Sequence, residues 1–162
     1  MDTLIYPDRE QLVVGWNSAE RILRPHHRWH YSNLCYSMLG ELVTRLDSRA
    51  WVDSLQARIL DPLEMRRTTL GFSGAHATGY YVPPYSDVPV LEPVLDIGAM
   101  ASAGGLASTA NDLATWATFL AGAADEVLSA DTIDEMCQPQ TMADLDTVAA
   151  GVGAGVDAAP QR

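Results

Sequence analysis

The chain has 162 residues, 48% of them hydrophobic and 19% charged, with a net charge of −11; that is enough for one domain with a core and too few for two. All ten basic residues are scattered arginines, and with no basic stripe to neutralise phosphates, neither a nucleic acid nor an anionic membrane surface is an expected partner. The absence of lysine also excludes, for these residues alone, chemistry that needs an ammonium group able to lose its proton near neutral pH, because arginine keeps its charge.

From the N-terminus, residues 1–6 carry neither the basic start nor the apolar core of a signal peptide. No later stretch reaches the length of a membrane span. The compartment is left open, with the cytoplasm as the default. Leu12, Trp16, Ala19 and Leu23 recur at helical spacing from about Asp8, and Pro25 is expected to end the run. Leu34, Met38, Leu42 and Leu46 form a second helical row, with Cys35, Leu39 and Val43 beside it. A stripe this wide predicts a well-buried helix. A third helix is expected from Ser48 as N-cap, through Trp51, Leu55 and Ile59, to Asp61-Pro62.

Between about Gly71 and Ser102, Pro83, Pro84, Pro89 and Pro93 leave room for short strands such as Thr78 to Val82 but for no long helix. A long structured loop of this kind serves as a pocket wall or is simply packed. Gly104-Gly105-Leu106 reads as a tight turn, after which Thr109 and Asp112 fit a capping box. Leu113, Trp116, Ala117 and Leu120 are the expected inner face of a fourth helix that Gly122 closes. Ser129 is placed as the cap of a fifth, with Ile133 and Met136 turned inward. Cys35 and Cys137 lie too far apart to read as a zinc or disulfide framework and are expected to be buried free thiols. The glycine- and alanine-rich stretch from Val148 carries little structural information.

The segment with chemical promise is Tyr31-Ser32-Asn33, at the mouth of the second helix. The positive end of a helix dipole favours a phenolate over a phenol. An asparagine two residues on offers both a donor and an acceptor to a substrate amide. The plain alternative is a helix-entry tyrosine packed on the core. His26, His27 and His30 cluster just before it, but Pro25 makes that stretch a loop and no carboxylate or thiolate stands at helical spacing. A solvated loop is expected there, with no metal. Trp16, Trp51 and Trp116 lie on helical stripes and read as core, whereas Trp29 could line a cleft. The acidic run Asp125, Glu126, Asp131, Asp134 and Glu135 reads as a solvated face.

Trp29-His30-Tyr31-Ser32-Asn33-Leu34, followed by Met38-Leu39-Gly40-Glu41, resembles the Tyr-x-Asn segment of β-lactamase-like serine hydrolases. That family includes class C β-lactamases, D-alanyl-D-alanine carboxypeptidases and related esterases. Three further matches follow in order. Arg58 to Met65 is similar to the family's Pro-Leu-Gly-Met turn, with Glu64 in place of the usual glycine. Ala77-Thr78-Gly79-Tyr80 resembles its Ala-x-Gly-Tyr strand, and Gly104 to Leu113 its Gly-Gly-Leu-x-Ser-Thr-Ala-x-Asp-Leu signature.

The resemblance implies an acyl-enzyme hydrolase acting on a small molecule or peptide through a β-lactam, D-Ala-D-Ala peptide or ester carbonyl, with no cofactor and no metal. It carries general-base assistance to Tyr31 and substrate amide binding to Asn33. In the family the nucleophile is the serine of a Ser-x-x-Lys motif upstream, and a Lys-Thr-Gly or His-x-Gly motif lies downstream. Neither is found here, so an internal fragment, inactive alone, is expected. The alternative is a non-catalytic binding or scaffold module derived from that family. The implied fold is mainly α with a few short strands (α+β): the helical subdomain and cleft loop over residues 1–147, the central sheet largely missing, and a low-complexity tail over 148–162. The surface that would meet that sheet is then exposed and apolar, with Leu34, Leu39 and Trp116 as candidates, and should promote self-association.

Overall fold

The first helix, α1 (Arg9–Gly15), begins where a reciprocal cap forms: the Asp8 carboxylate accepts the Gln11 N–H at 2.8 Å, and the Gln11 side chain accepts the Asp8 N–H at 3.0 Å. A computed structural model describes residues 5–24, 30–72 and 74–139. In it α1 runs into one 3-10 turn, Trp16–Ser18, and gives way to extended backbone at Ala19. The helix therefore stops well short of Leu23. Val13, Val14 and Gly15 are poor helix formers, and Ser18 Oγ closes the turn on the Gly15 carbonyl at 3.0 Å. Pro25, His26, His27 and Trp29 lie outside the described residues, as does the segment 148–162.

The second helix, α2 (Asn33–Asp47), ends at Ser48, whose left-handed backbone (φ 55°) makes it a C-cap and not the N-cap of the next helix. The third, α3 (Trp51–Leu55), has no side-chain cap at its own N-cap, Ala50. Thr44 supplies one from α2 instead: its hydroxyl donates to the Gly40 carbonyl and accepts the Trp51 N–H at 3.1 Å. A π turn, Gln56–Leu60, continues α3 to Asp61. Asp47 clasps the pair of helices, accepting hydrogen bonds from Ser54 Oγ at 2.6 Å and Arg58 at 2.5 Å, with Arg49 at 2.8 Å.

The well-buried α2 is not observed. Its buried residues are Ser37, Gly40 and Glu41, while Met38, Leu39, Leu42, Val43 and Leu46 are exposed. A 3-10 segment, Gly98–Ala103, packs on the polar side: Ser102 Oγ donates to the Tyr36 carbonyl at 3.0 Å, and a Cβ on Gly40 would lie 2.6 Å from Ser102 Cβ. On the same side Glu41 receives Arg9 of α1 at 2.6 Å and Arg45 at 2.7 Å. The face that ties α2 to its neighbours is thus the small and polar one. Cys35 and Cys137 are free but exposed, not buried.

The apolar core lies at the other end, where Leu60, Leu63 and Met65 meet Phe119, Ala124 and Ile133. It joins the π turn to α4 (Ala110–Leu120) and α5 (Ala130–Cys137). Trp116 packs against this cluster, its ring centroid 5.0 Å from that of Phe119. The inner face of α4 is rotated from the one periodicity predicts: Asp112 and Phe119 are buried, whereas Leu113 and Leu120 are exposed. Asp112 is the cause. Its Oδ2 accepts the Arg67 N–H at 2.9 Å and the Thr68 hydroxyl at 2.8 Å, which draws that side of the helix inward. The capping box is accordingly half formed, with Thr109 Oγ1 accepting the Asp112 N–H while the carboxylate turns to Thr68. Gly122, at φ 88°, closes the helix. Ser129 caps α5 and Ile133 is buried, but Met136 is 65% exposed.

Among the described residues, four two-residue strands make two antiparallel ladders, β1 (Thr69–Leu70) with β4 (Leu106–Ala107) and β2 (Tyr80–Tyr81) with β3 (Val90–Leu91). The architecture is mainly helical with short strand pairs. Among the described residues no helix is long and apolar enough to cross a membrane.

Candidate active site

Ser32 sets the geometry of the Tyr31-Ser32-Asn33 segment. Its backbone is extended (φ −148°, ψ 106°), its hydroxyl accepts the Cys35 N–H at 3.2 Å, and its carbonyl accepts the Tyr36 N–H at 3.3 Å. Asn33 is therefore the first residue of α2, and Tyr31 stands just outside the first turn. Both are exposed, Tyr31 at 57%. A sealed interior is ruled out for this tyrosine. His30, also exposed, precedes it. The Asn33 carbonyl accepts the Ser37 hydroxyl at 2.9 Å, which leaves its side-chain amide outside that bond.

The stem behind the segment is fixed electrostatically. Glu41 sits two turns into α2, and hydrogen bonds from Arg9 and then Arg45 hold its carboxyl below the usual carboxylate range. At the far end the hydrogen bonds from Arg58 and Ser54 bring Asp47 down to about 2. The motifs give no role to Glu41 or Ser102. The signal for Ser102 was Gly40, an isolated glycine inside an apolar helical run, which marks a close approach.

Neither of two concavities formed by the described residues is lined by Tyr31 or Asn33. One, of about 380 Å3, lies between Arg9, Glu10, Val13, Val14 and Arg45. The other, of about 320 Å3, lies beside β1 and the start of α4. The tyrosine and asparagine are both exposed, at an open helix mouth. Such a pair can accept a proton and orient an amide, but bond cleavage needs a nucleophile aimed at the same point. Among the described residues no group of three or more histidine, cysteine, aspartate or glutamate side chains is placed to hold a metal ion.

Residues 5–161 match the model of the family described as Beta-lactamase. Beta-lactamase-like protein 2 of Dictyostelium discoideum is 26% identical over 144 residues, which is 86% of this chain and 26% of that protein. The octameric penicillin-binding protein homologue from Pyrococcus abyssi superposes with a TM-score of 0.65 at 23% identity, over 74% of this chain and 27% of that one. A D-stereospecific amidohydrolase from Streptomyces sp. does so with a TM-score of 0.67 at 22% identity, over 82% and 40%. The D-amino acid amidase from Ochrobactrum anthropi SV3, complexed with D-phenylalanine, gives 0.59 at 22%, over 76% and 39%. The chain spans about a quarter of the curated relative, and at these identities the structural likeness speaks for the fold.

Proposed function

The chain belongs to the beta-lactamase family, and on that premise we propose that it supplies the Tyr-x-Asn part of a serine hydrolase active site, with Tyr31 assisting proton removal and Asn33 binding the substrate amide. The observation that carries this reading is the place of the pair. Tyr31 is exposed just before the first turn of a 15-residue helix, and the Asn33 amide lies two residues further on. The substrate is a carbonyl compound, whether β-lactam, D-amino acid peptide or amide, or ester. Similarity to an amidohydrolase and an amidase supports an amide.

An unassisted phenol is a poor base at neutral pH and needs a neighbouring cation. These 162 residues contain no lysine, so in this reading the Ser-x-x-Lys nucleophile comes from residues outside them and the chain alone is inactive. The exposed apolar row Met38, Leu39, Leu42 and Leu46 is where the rest of such a domain would pack; uncovered, it promotes self-association.

Two measurements test the proposal. Incubated with a chromogenic cephalosporin, a nitrophenyl ester and a D-amino acid anilide, the purified chain should give neither burst nor turnover, and either would overturn the inactivity. In a longer polypeptide that also carries the Ser-x-x-Lys helix, Tyr31→Phe should lower kcat by roughly 10²- to 10⁴-fold. Unchanged kcat would remove Tyr31 from the chemistry.

A further inference from the structure

Beside β1, between Phe72, the segment 75–77 and the start of α4, lies the cleft of about 320 Å3, whose polar lining is Arg67, Thr69, His76, Ser108 and Thr109, with Phe72 and three alanines making up the rest. In a chain of net charge −11 it has no acidic side chain among the described residues that line it. The Asp112 carboxylate is buried behind Thr68, where it already accepts the Arg67 N–H and the Thr68 hydroxyl. Arg9, Arg45, Arg49, Arg58 and Arg66 each hold a carboxylate. The Arg67 guanidinium holds none among the described residues.

The hydrogen bonds say what the remaining groups can offer. The Thr68 hydroxyl is committed to Asp112, so the Ser108 hydroxyl donates to Thr68 Oγ1 at 2.8 Å and keeps only acceptor capacity. Thr109 Oγ1 accepts the Asp112 N–H, which frees its own hydrogen to donate. His76 Nδ1 lies 3.2 Å from the Gly74 carbonyl and donates there, which leaves Nε2 outside that bond. That ring stacks on Phe72 with centroids 4.4 Å apart. The cleft therefore combines one arginine, one hydroxyl donor and a flat aromatic wall, in a volume at the small end for a ligand pocket.

We propose that this cleft binds a small aromatic monocarboxylate, its carboxylate on the Arg67 guanidinium and its ring against Phe72 and His76. An arginine pairs a carboxylate through two parallel hydrogen bonds. A single cation matches a single negative charge, whereas a phosphate monoester would leave its second charge uncompensated. The site is separate from Tyr31 and Asn33 and stands whether or not they act in catalysis.

The test is a two-dimensional NMR titration of the whole chain with benzoate, with benzamide as its neutral isostere and inorganic phosphate as the competing anion. Benzoate should give saturable shifts confined to residues 67–77 and 107–109, with affinity roughly tenfold above benzamide. Arg67→Gln should remove that advantage, and it should fold normally because Arg67 serves the Asp112 network through its backbone amide. Equal affinity for benzoate and benzamide, tighter binding of phosphate, shifts centred on Arg9 and Arg45, or no saturable shift would each overturn the proposal. The benzoate and benzamide comparison decides it without the variant.

Discussion

Gly40 has no room for a side chain. A Cβ there would meet Ser102 Oγ and lie 2.6 Å from Ser102 Cβ, and Ser102 is held in place by its bond to the Tyr36 carbonyl. Gly40→Ala should therefore cost about 1–3 kcal/mol of stability in urea unfolding, the usual range for overpacking. The double variant with Ser102→Gly should recover part of the loss. No recovery would mean that the two residues do not meet. Asp112 is a second such point. Its removal in Asp112→Ala takes the shared acceptor from the Arg67 N–H and from the buried Thr68 hydroxyl, which can then turn only to Ser108 Oγ, a loss of about 1–3 kcal/mol where a buried group is left unsatisfied. Asp112→Asn keeps one acceptor oxygen and should unfold later than the alanine variant; a reversed order would contradict the role given to the carboxylate.

Among the elements, the clasp between α2 and the α3 and π-turn unit depends on one ionised group. Asp47 has an ordinary value near 3.8 and about 2 in the folded chain, lowered first by the hydrogen bond from Arg58 and then by that from Ser54. A depressed folded value means that its contribution is complete above the unfolded value and is lost as protons bind the folded state. Stability from this group should hold above about pH 4 and fall between about pH 4 and pH 2. Glu41 acts in the same direction through Arg9 and Arg45. Asp47→Asn should flatten part of the acid limb of a stability-against-pH curve. Added salt should shrink the difference between variant and parent, because the Arg58 side chain is largely exposed. An acid limb unchanged by the substitution would show that the clasp is silent.

For the whole molecule, the consequence lies in the distribution of apolar surface. The buried cluster gathers around Phe119 and Ile133, while α2 turns Leu39 and Leu42 outward at 53% and 50% exposure. Of the three residues expected on an uncovered face, Leu39 is exposed, Leu34 is half-buried, and Trp116, partly buried, packs against the core around Phe119. Sedimentation velocity should show the chain associating with rising concentration, and Leu42→Glu should shift it toward monomer without loss of helix signal in circular dichroism. A parent chain that stays monomeric throughout would exclude association through this face.

Part of the local chemistry was legible from residues alone, where the decisive partner lay within a few positions. Thr109 and Ser129, read as caps, each accept a backbone N–H three residues on, Gly122 closes its helix, and the ordered motifs from Tyr31 to Leu113 led to the family, whereas Ser48, read as an N-cap, is a C-cap and the first helix ends short of Leu23. Helix ends and turns are matters of short-range hydrogen bonding, which neighbouring residues determine. Which face of each helix is covered was decided only by the tertiary structure. Periodicity shows that a row is apolar but not that anything lies against it, so α2 buries Ser37, Gly40 and Glu41 beneath Gly98–Ala103 and Arg9 while its leucines face outward. The same holds for α4, where hydrogen bonds from residues 44 and 45 positions away turn Asp112 inward and Leu113 out.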